Sequence, residues 1–359
     1  MSESQESSST RLPHTYEEMT PEWMSSALSE AFPGVRVRRV SRSDERIGTS
    51  ASCQLKIDYD DRGRAGEAPD FLYVKGGFDD NQRKRYWGAL QQEVRFYREF
   101  AATTPMHIPR CYFAANDDHQ QGITMLEDIG TRGVTFGNWG ALSVDQVAAE
   151  LEQLARLHAR WWRDPVLKTL AGYELPARNF YKYMVRDKHW EELRGRVYGR
   201  ELVEVIPHPE LIRQALDKMW ALNDEAPATL VHGDTHGGNM FFERDGRAGI
   251  LDFQLYFATT PMYDVSWLIV SGLGIEDRRK DERHLLKHYL SLAKARGIEL
   301  PDFEQTWLVH RQQMAHAFVS GACEPILAGP IEQINAAAKV TIAAAGDLDV
   351  LDALGIARH

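Results

Sequence analysis

The densest run of reactive side chains lies between residues 232 and 254. It reads His232-Gly233-Asp234-Thr235-His236-Gly237-Gly238-Asn239, then Met240-Phe241-Phe242, a polar stretch, and Ile250-Leu251-Asp252-Phe253-Gln254. The polar stretch, Glu243-Arg244-Asp245-Gly246-Arg247, holds Asp-Gly between two apolar runs, the strongest short-range signal for a β-hairpin. Closing that hairpin brings its two ends together, so Asn239 is expected beside Asp252, with Asp234 a few residues back on a loop. Two oxygen donors at one strand end suit a hard cation, and a neighbouring carboxylate suits a proton acceptor.

This arrangement resembles the catalytic and metal-binding loops of the kinase fold, in its aminoglycoside phosphotransferase and choline kinase-like branch. That branch carries His-Gly-Asp-x-His-x-x-Asn, and its metal-binding Asp opens Asp-Phe or Asp-Trp, which Asp252-Phe253 fits. Position by position, the resemblance implies Asp234 as catalytic base and Asn239 and Asp252 as magnesium ligands. A competing resemblance lies in Gly233-Asp234-Thr235-His236-Gly237, which looks like the Gly-Asp-x-His-Gly of metal-dependent phosphoesterases. That family also needs a downstream Gly-Asp and a Gly-Asn-His; the chain has a further Gly-Asp only at Gly346-Asp347 and has no Gly-Asn-His. A turn with a few buried polar groups would leave the paired acids of the hairpin unexplained.

The elements that must position these groups follow from the rest of the chain. Thr20-Pro21-Glu22 has the N-cap and first-turn proline of a helix that Pro33-Gly34 stops. Its Pro-Glu-Trp opening resembles the entry helix of ecdysteroid kinase-like members of the superfamily, the closest branch. Val35 to Tyr59 reads as two strands around small residues, Gly48-Thr49-Ser50, whose backbone could approach phosphate closely. Phe71-Leu72-Tyr73-Val74-Lys75 is a strand ending in a lysine where the kinase fold places its phosphate-contacting lysine. A helix over about 81–100 follows, with Glu93 on the same face as Phe96 and Phe100, an odd place for an acid without a cationic partner. The segment resembles the family's lysine-pairing helix, which implies a Lys75–Glu93 ion pair, with Glu99 as second candidate. Met125-Leu126-Glu127-Asp128 resembles the family's Leu-Glu-Asp-Leu hinge, which implies adenine recognition there through backbone groups.

Beyond the hinge the pattern is mainly helical. Ser143 and Gln146 form a capping box ahead of a helix through Val147, Leu151, Leu154 and Leu157, on which His158 reads as a hydrogen-bonded core histidine. Residues 164–200 carry no motif. Asp264 opens a helix with Trp267, Leu268 and Val270, and the resemblance implies that this acid holds the catalytic loop by accepting backbone hydrogen bonds. A last helix is expected over about 331–345, stopped by Gly346.

Composition sets the frame. The chain has 359 residues, 43% hydrophobic and 26% charged, with a net charge of −10, enough length for two lobes. Acidity and the lack of a long basic run argue against nucleic acid, and no apolar run has membrane-spanning length. Cys53, Cys111 and Cys323 are scattered and read as thiols of a cytoplasmic protein. The expectation is an α+β, two-lobed protein-kinase-like fold. A disordered tail over 1–14 precedes a small nucleotide-binding lobe over 15–127, with an antiparallel sheet and one helix. A larger, mainly helical catalytic and substrate lobe covers 128–359. ATP and magnesium are the implied cofactors, with ATP between the lobes, and a small-molecule hydroxyl is the implied acceptor. The protein is expected as a monomer or homodimer. The alternatives kept open are a phosphoesterase and a non-catalytic nucleotide-binding relative.

Overall fold

A computed structural model of the chain describes residues 11–48, 50–60, 68–324 and 330–358. It divides into two compact units, Met1–Thr103 with Pro109–Gly133, and Thr104–Ile108 with Val134–His359.

In the first unit, Thr20 caps helix α1 (Pro21–Ala27) by accepting the Trp23 N–H, as the Thr-Pro-Glu pattern predicts. Five strands follow: β1 (Val37–Ile47), β2 (Ala51–Tyr59), β3 (Phe71–Gly76), β4 (Cys111–Asn116) and β5 (Gly122–Glu127), in the spatial order β1-β2-β3-β5-β4. Every pairing is antiparallel, so each connection can be short. Central β3 contributes Leu72 and Val74 to a core with Leu55, Ile57, Ile123 and Met125, closed by Met24 and Leu28. Helix α2 (Asp80–Arg95) crosses between β3 and β4. The helix expected over about 81–100 forms, and its last turn, Phe96–Phe100, is π-helical. The wider turn changes which side chains share a face, and Phe96, Tyr97 and Phe100 are all buried there. The tail expected over 1–14 is shortened at its end. Leu12 and Pro13 are buried, the Leu12 N–H donates to Asp117 Oδ2 at 2.8 Å, and Gln121 donates to the Pro13 carbonyl.

The second unit is mainly helical. After β6 (Thr135–Phe136) comes α3 (Val144–Arg160), opened by the Ser143–Gln146 capping box. The motif-free stretch forms α4 (Leu175–Met184), α5 (Asp187–Arg194) and α6 (Gly199–Val205), followed by α7 (Pro209–Glu225). Short strands β7 (Thr229–Val231), β8 (Met240–Phe242), β9 (Ala248–Ile250) and β10 (Phe257–Thr259) make two small antiparallel sheets, β6-β8-β9 and β10-β7. Helix α8 (Met262–Gly272) is buried on every side, mostly through apolar residues. Around it lie α9 (Ile275–Ala295), α10 (Phe303–Gln312), α11 (Met314–Ala322), α12 (Ile331–Asp347) and α13 (Val350–Ala353). Gly346 does not stop α12, which runs one residue further than that to Asp347. Among the described residues no helix is long and apolar enough to cross a membrane.

Candidate active site

The hairpin forms as the Asp-Gly turn dictates. Met240 pairs with Ile250, and the turn closes with the Gly246 N–H donating to the Glu243 carbonyl at 3.0 Å. One step beyond the ladder, the Leu251 N–H donates to the Asn239 carbonyl at 2.9 Å, which sets Asn239 at the same hairpin end as Asp252. Asp252 has φ of +69°, in the left-handed region that a residue with a Cβ rarely adopts. Such backbone strain persists only where the surroundings over-determine it, and it gathers at functional sites.

The loop before the hairpin is held from below by Asp264, on the first turn of α8. Its carboxylate accepts the His232 N–H at 2.7 Å and the Gly233 N–H at 2.9 Å, and its carbonyl accepts the Thr235 hydroxyl at 2.7 Å. His158 Nε2 lies 3.2 Å from the same carboxylate while its Nδ1 meets the Tyr289 hydroxyl at 2.8 Å, the hydrogen-bonded core histidine that the sequence suggests. Gly233 has φ of +84°, and a Cβ there would sit 2.1 Å from the Leu255 carbonyl oxygen, so only glycine fits the turn. Burial holds the His232 pKa below its usual value, which keeps the ring neutral. Its Nδ1 accepts the Asp234 N–H at 3.2 Å and its Nε2 faces the Leu251 carbonyl at 2.8 Å, so one neutral imidazole links the two halves of the motif.

Asp234 emerges from this frame with its side chain 31% exposed. Trp267 Nε1 donates to its Oδ1 at 3.4 Å, and Asn239 Nδ2 lies 3.4 Å from its Oδ2. The same Asn239 amide nitrogen donates to the Asp234 carbonyl at 2.9 Å. That bond fixes the amide so that its oxygen, a magnesium-type donor, is the group left for a ligand. One amide oxygen and one carboxylate make a hard, incomplete donor set, which fits a cation that keeps waters and substrate oxygens as its other ligands.

In the first unit, Lys75 Nζ lies 2.7 Å from Glu93 Oε1, with both side chains buried. Glu99 instead pairs with Arg95 at 2.8 Å on the surface. Strand register sets Ala51 opposite Gly76 and Ser52 opposite Lys75, so the turn at 48–50 ends beside the lysine. Within that turn the Gly48 N–H donates to the Ser50 carbonyl at 3.0 Å, while Thr49 lies outside the described residues. Met125 and Leu126 lie between β3 and β4 in the sheet. Glu127 is tied to Arg132 at 2.8 Å, and Asp128 accepts from Gln54 Nε2 and from the Gly130 N–H.

Several neighbours of Asp234 went unread in the sequence. Trp267 looks like one more apolar residue of α8, and only its spacing of three from Asp264 could have hinted at the loop. Trp139, from the segment before α3, stacks on His236 with ring centres 4.4 Å apart and planes at 10°. Glu324, just after α11, has its carboxyl pushed up to about 7 by burial and, behind that, by the Asp234 charge. A hydroxyl chain lies in the same region, with Ser320 donating to Tyr181 at 2.9 Å and the Tyr181 and Tyr263 oxygens 2.9 Å apart.

The comparisons with known proteins speak to the family of the chain and to its fold. A model of the phosphotransferase enzyme family matches residues 80–300, and the chain belongs to that family. An uncharacterized kinase-like protein of Caenorhabditis elegans is 22% identical over 239 residues, a match spanning 61% of this chain and 61% of that protein. A solved spectinomycin phosphotransferase, in complex with ADP and spectinomycin, is 12% identical, with 92% of this chain and 99% of that one covered at a TM-score of 0.50. A Plasmodium vivax ethanolamine kinase is 12% identical, with 88% and 83% covered and a TM-score of 0.48. The likeness to the spectinomycin phosphotransferase is one of fold, here α+β and kinase-like with an antiparallel-sheet unit and a larger helical one.

Proposed function

We propose that this chain is an ATP-dependent phosphotransferase that moves the γ-phosphoryl group to a hydroxyl of a small molecule. The observation that carries the reading is the hydrogen-bonded junction at 232–252. There Asn239 donates to the Asp234 carbonyl and accepts from Leu251, so base and cation donors occupy one rigid frame. Asp234 takes the proton of the acceptor hydroxyl as that oxygen bonds to the γ-phosphorus and the bond to the ADP oxygen breaks. Asn239 and Asp252 would hold magnesium, which would supply charge neutralisation on the phosphates. Lys75, oriented by Glu93, supplies a further cation to them, and the turn at 48–50 offers backbone donors. Residues 125–128 are the proposed adenine-recognition stretch.

The phosphoesterase alternative has less support. It would use Asp234 and His236 as metal ligands and also needs a Gly-Asn-His, which the chain lacks. The class of acceptor stays a hydroxylated small molecule, the protein cytoplasmic, and its assembly a monomer or homodimer. The test is coupled ADP release across a panel of amino alcohols, aminoglycosides, sugars and sterols. With an acceptor in hand, Asp234→Ala should lower kcat by about 10²–10⁴-fold while ATP binding holds. Near-wild-type turnover in that variant would end the assignment.

A further inference from the structure

Two rings reach the Asp234 carboxylate, Trp267 from α8 and His236 from the same loop, and one tryptophan touches both. Trp267 donates its indole N–H to Oδ1 at 3.4 Å, and His236 places Nε2 3.6 Å from Oδ2. His236 caps the turn at 237–239 by accepting the Gly238 N–H on Nδ1 at 3.0 Å, so its neutral form carries the ring proton on Nε2, the atom facing Asp234. Neither ring is fixed by these long contacts alone. Trp139 stacks flat on His236, with centres 4.4 Å apart, and meets Trp267 edge to face at 5.4 Å and 68°. Offset and edge-on contacts of this kind contribute about 0.5–1.5 kcal/mol per aromatic pair beyond burial.

The segment that carries Trp139 is itself locked. The Gly137 N–H donates to the Met240 carbonyl at 2.9 Å, and the Gly140 N–H to the Ser271 carbonyl at 2.7 Å. A Cβ on Gly137 would lie 2.2 Å from the Gly237 carbonyl oxygen, and one on Gly237 would lie 2.5 Å from that of Asn138. The backbone of 137–140 therefore lies directly on the catalytic loop and on the end of α8, with no room for a side chain between them.

Resting on the reading of Asp234 as base, we infer that Trp139 is a positioning residue for it. Trp139 clamps the His236 and Trp267 rings so that both donors hold the carboxylate in one orientation. It touches neither nucleotide nor acceptor in this account, so its loss affects the rate of the chemical step and leaves nucleotide binding alone.

The test uses the full chain with MgATP, water serving as acceptor, and reads ADP release together with NMR of ring-labelled histidine and indole-labelled tryptophan. Trp139→Ala should shift the His236 ring signals and the Trp267 indole N–H signal and should lower kcat roughly tenfold, since misplacement of a reacting group by about 1 Å can cost up to about 10²-fold. The KM for MgATP should not change. Trp139→Phe, which keeps a stacking ring, should restore most of the rate and both signals. If Trp139→Ala does not fold, Trp139→Leu, with apolar bulk and no flat ring, takes its place. Unmoved His236 and Trp267 signals, equal damage from the phenylalanine and alanine variants, or a KM that rises with the fall in kcat would each overturn the inference. Failure of the functional reading would look different. Asp234→Asn would then leave ADP release untouched, while the two ring signals would still answer whether Trp139 holds them.

Discussion

At the scale of single residues, the chemistry was readable where it demands particular side chains close together in sequence. The placing of Asn239 against Leu251 and Asp252 follows from the Asp-Gly turn and the lengths of β8 and β9. Trp139, Trp267 and Glu324 were not readable, because each comes from a different element and looks like an ordinary apolar or acidic residue until the fold brings it to Asp234. Asp252 shows the same contrast within one residue. Its type and position were evident, but not its φ of +69°, which depends on how the hairpin leaves its last strand. The proposed metal role makes a plain forecast. Asp252→Ala should leave ATP affinity less responsive to magnesium, because the carboxylate that links the protein to the phosphates through the cation is gone. Titration calorimetry at several magnesium concentrations measures this, and an unaltered magnesium response would remove Asp252 from the ligand set.

Among elements, caps and periodicity carried most of the fold into the sequence. Thr20 and the Ser143–Gln146 box each gave the right element for a local reason. Where the outcome depended on packing, sequence said less. The π turn at Phe96–Phe100 and the N-terminal segment pinned by Asp117 and Gln121 have no local signature. The stretch over 164–200 is helical but was silent about what it lines. The Lys75–Glu93 pair joins two elements of one unit, β3 and α2, at 2.7 Å. Breaking a buried pair costs about 3–5 kcal/mol as a general figure, so stability must be followed alongside activity. Lys75→Met should impair nucleotide use strongly and Glu93→Gln less, since the second loosens the lysine without removing its charge. The double variant should be little worse than Lys75→Met, because groups acting as one are not additive. Fully additive losses in kcat/KM would show that the pair does not act as a unit.

For the whole molecule, the proposed reading asks an acidic chain of net charge −10 to attract an anionic nucleotide against its own average field, which would leave local cations to do the binding. Length and composition say nothing of residues 104–108 belonging with the second unit while their neighbours on both sides belong with the first. That depends on side-chain contacts no periodicity encodes. The link with the widest reach is Asp264, which holds the His232 and Gly233 amides from inside a helix that is buried all round. Surface loops ordinarily exchange their amide hydrogens by local fraying, whereas core helices exchange only when a large cooperative part of the protein opens. These two loop amides should therefore be protected from deuterium to the same depth as α8, and Asp264→Asn should release them while the helix stays slow. A loop that opens only when the core opens gains a site that stays assembled between turnovers. It also shares the core's fate, so that partial unfolding of α8 disassembles the catalytic loop in the same event.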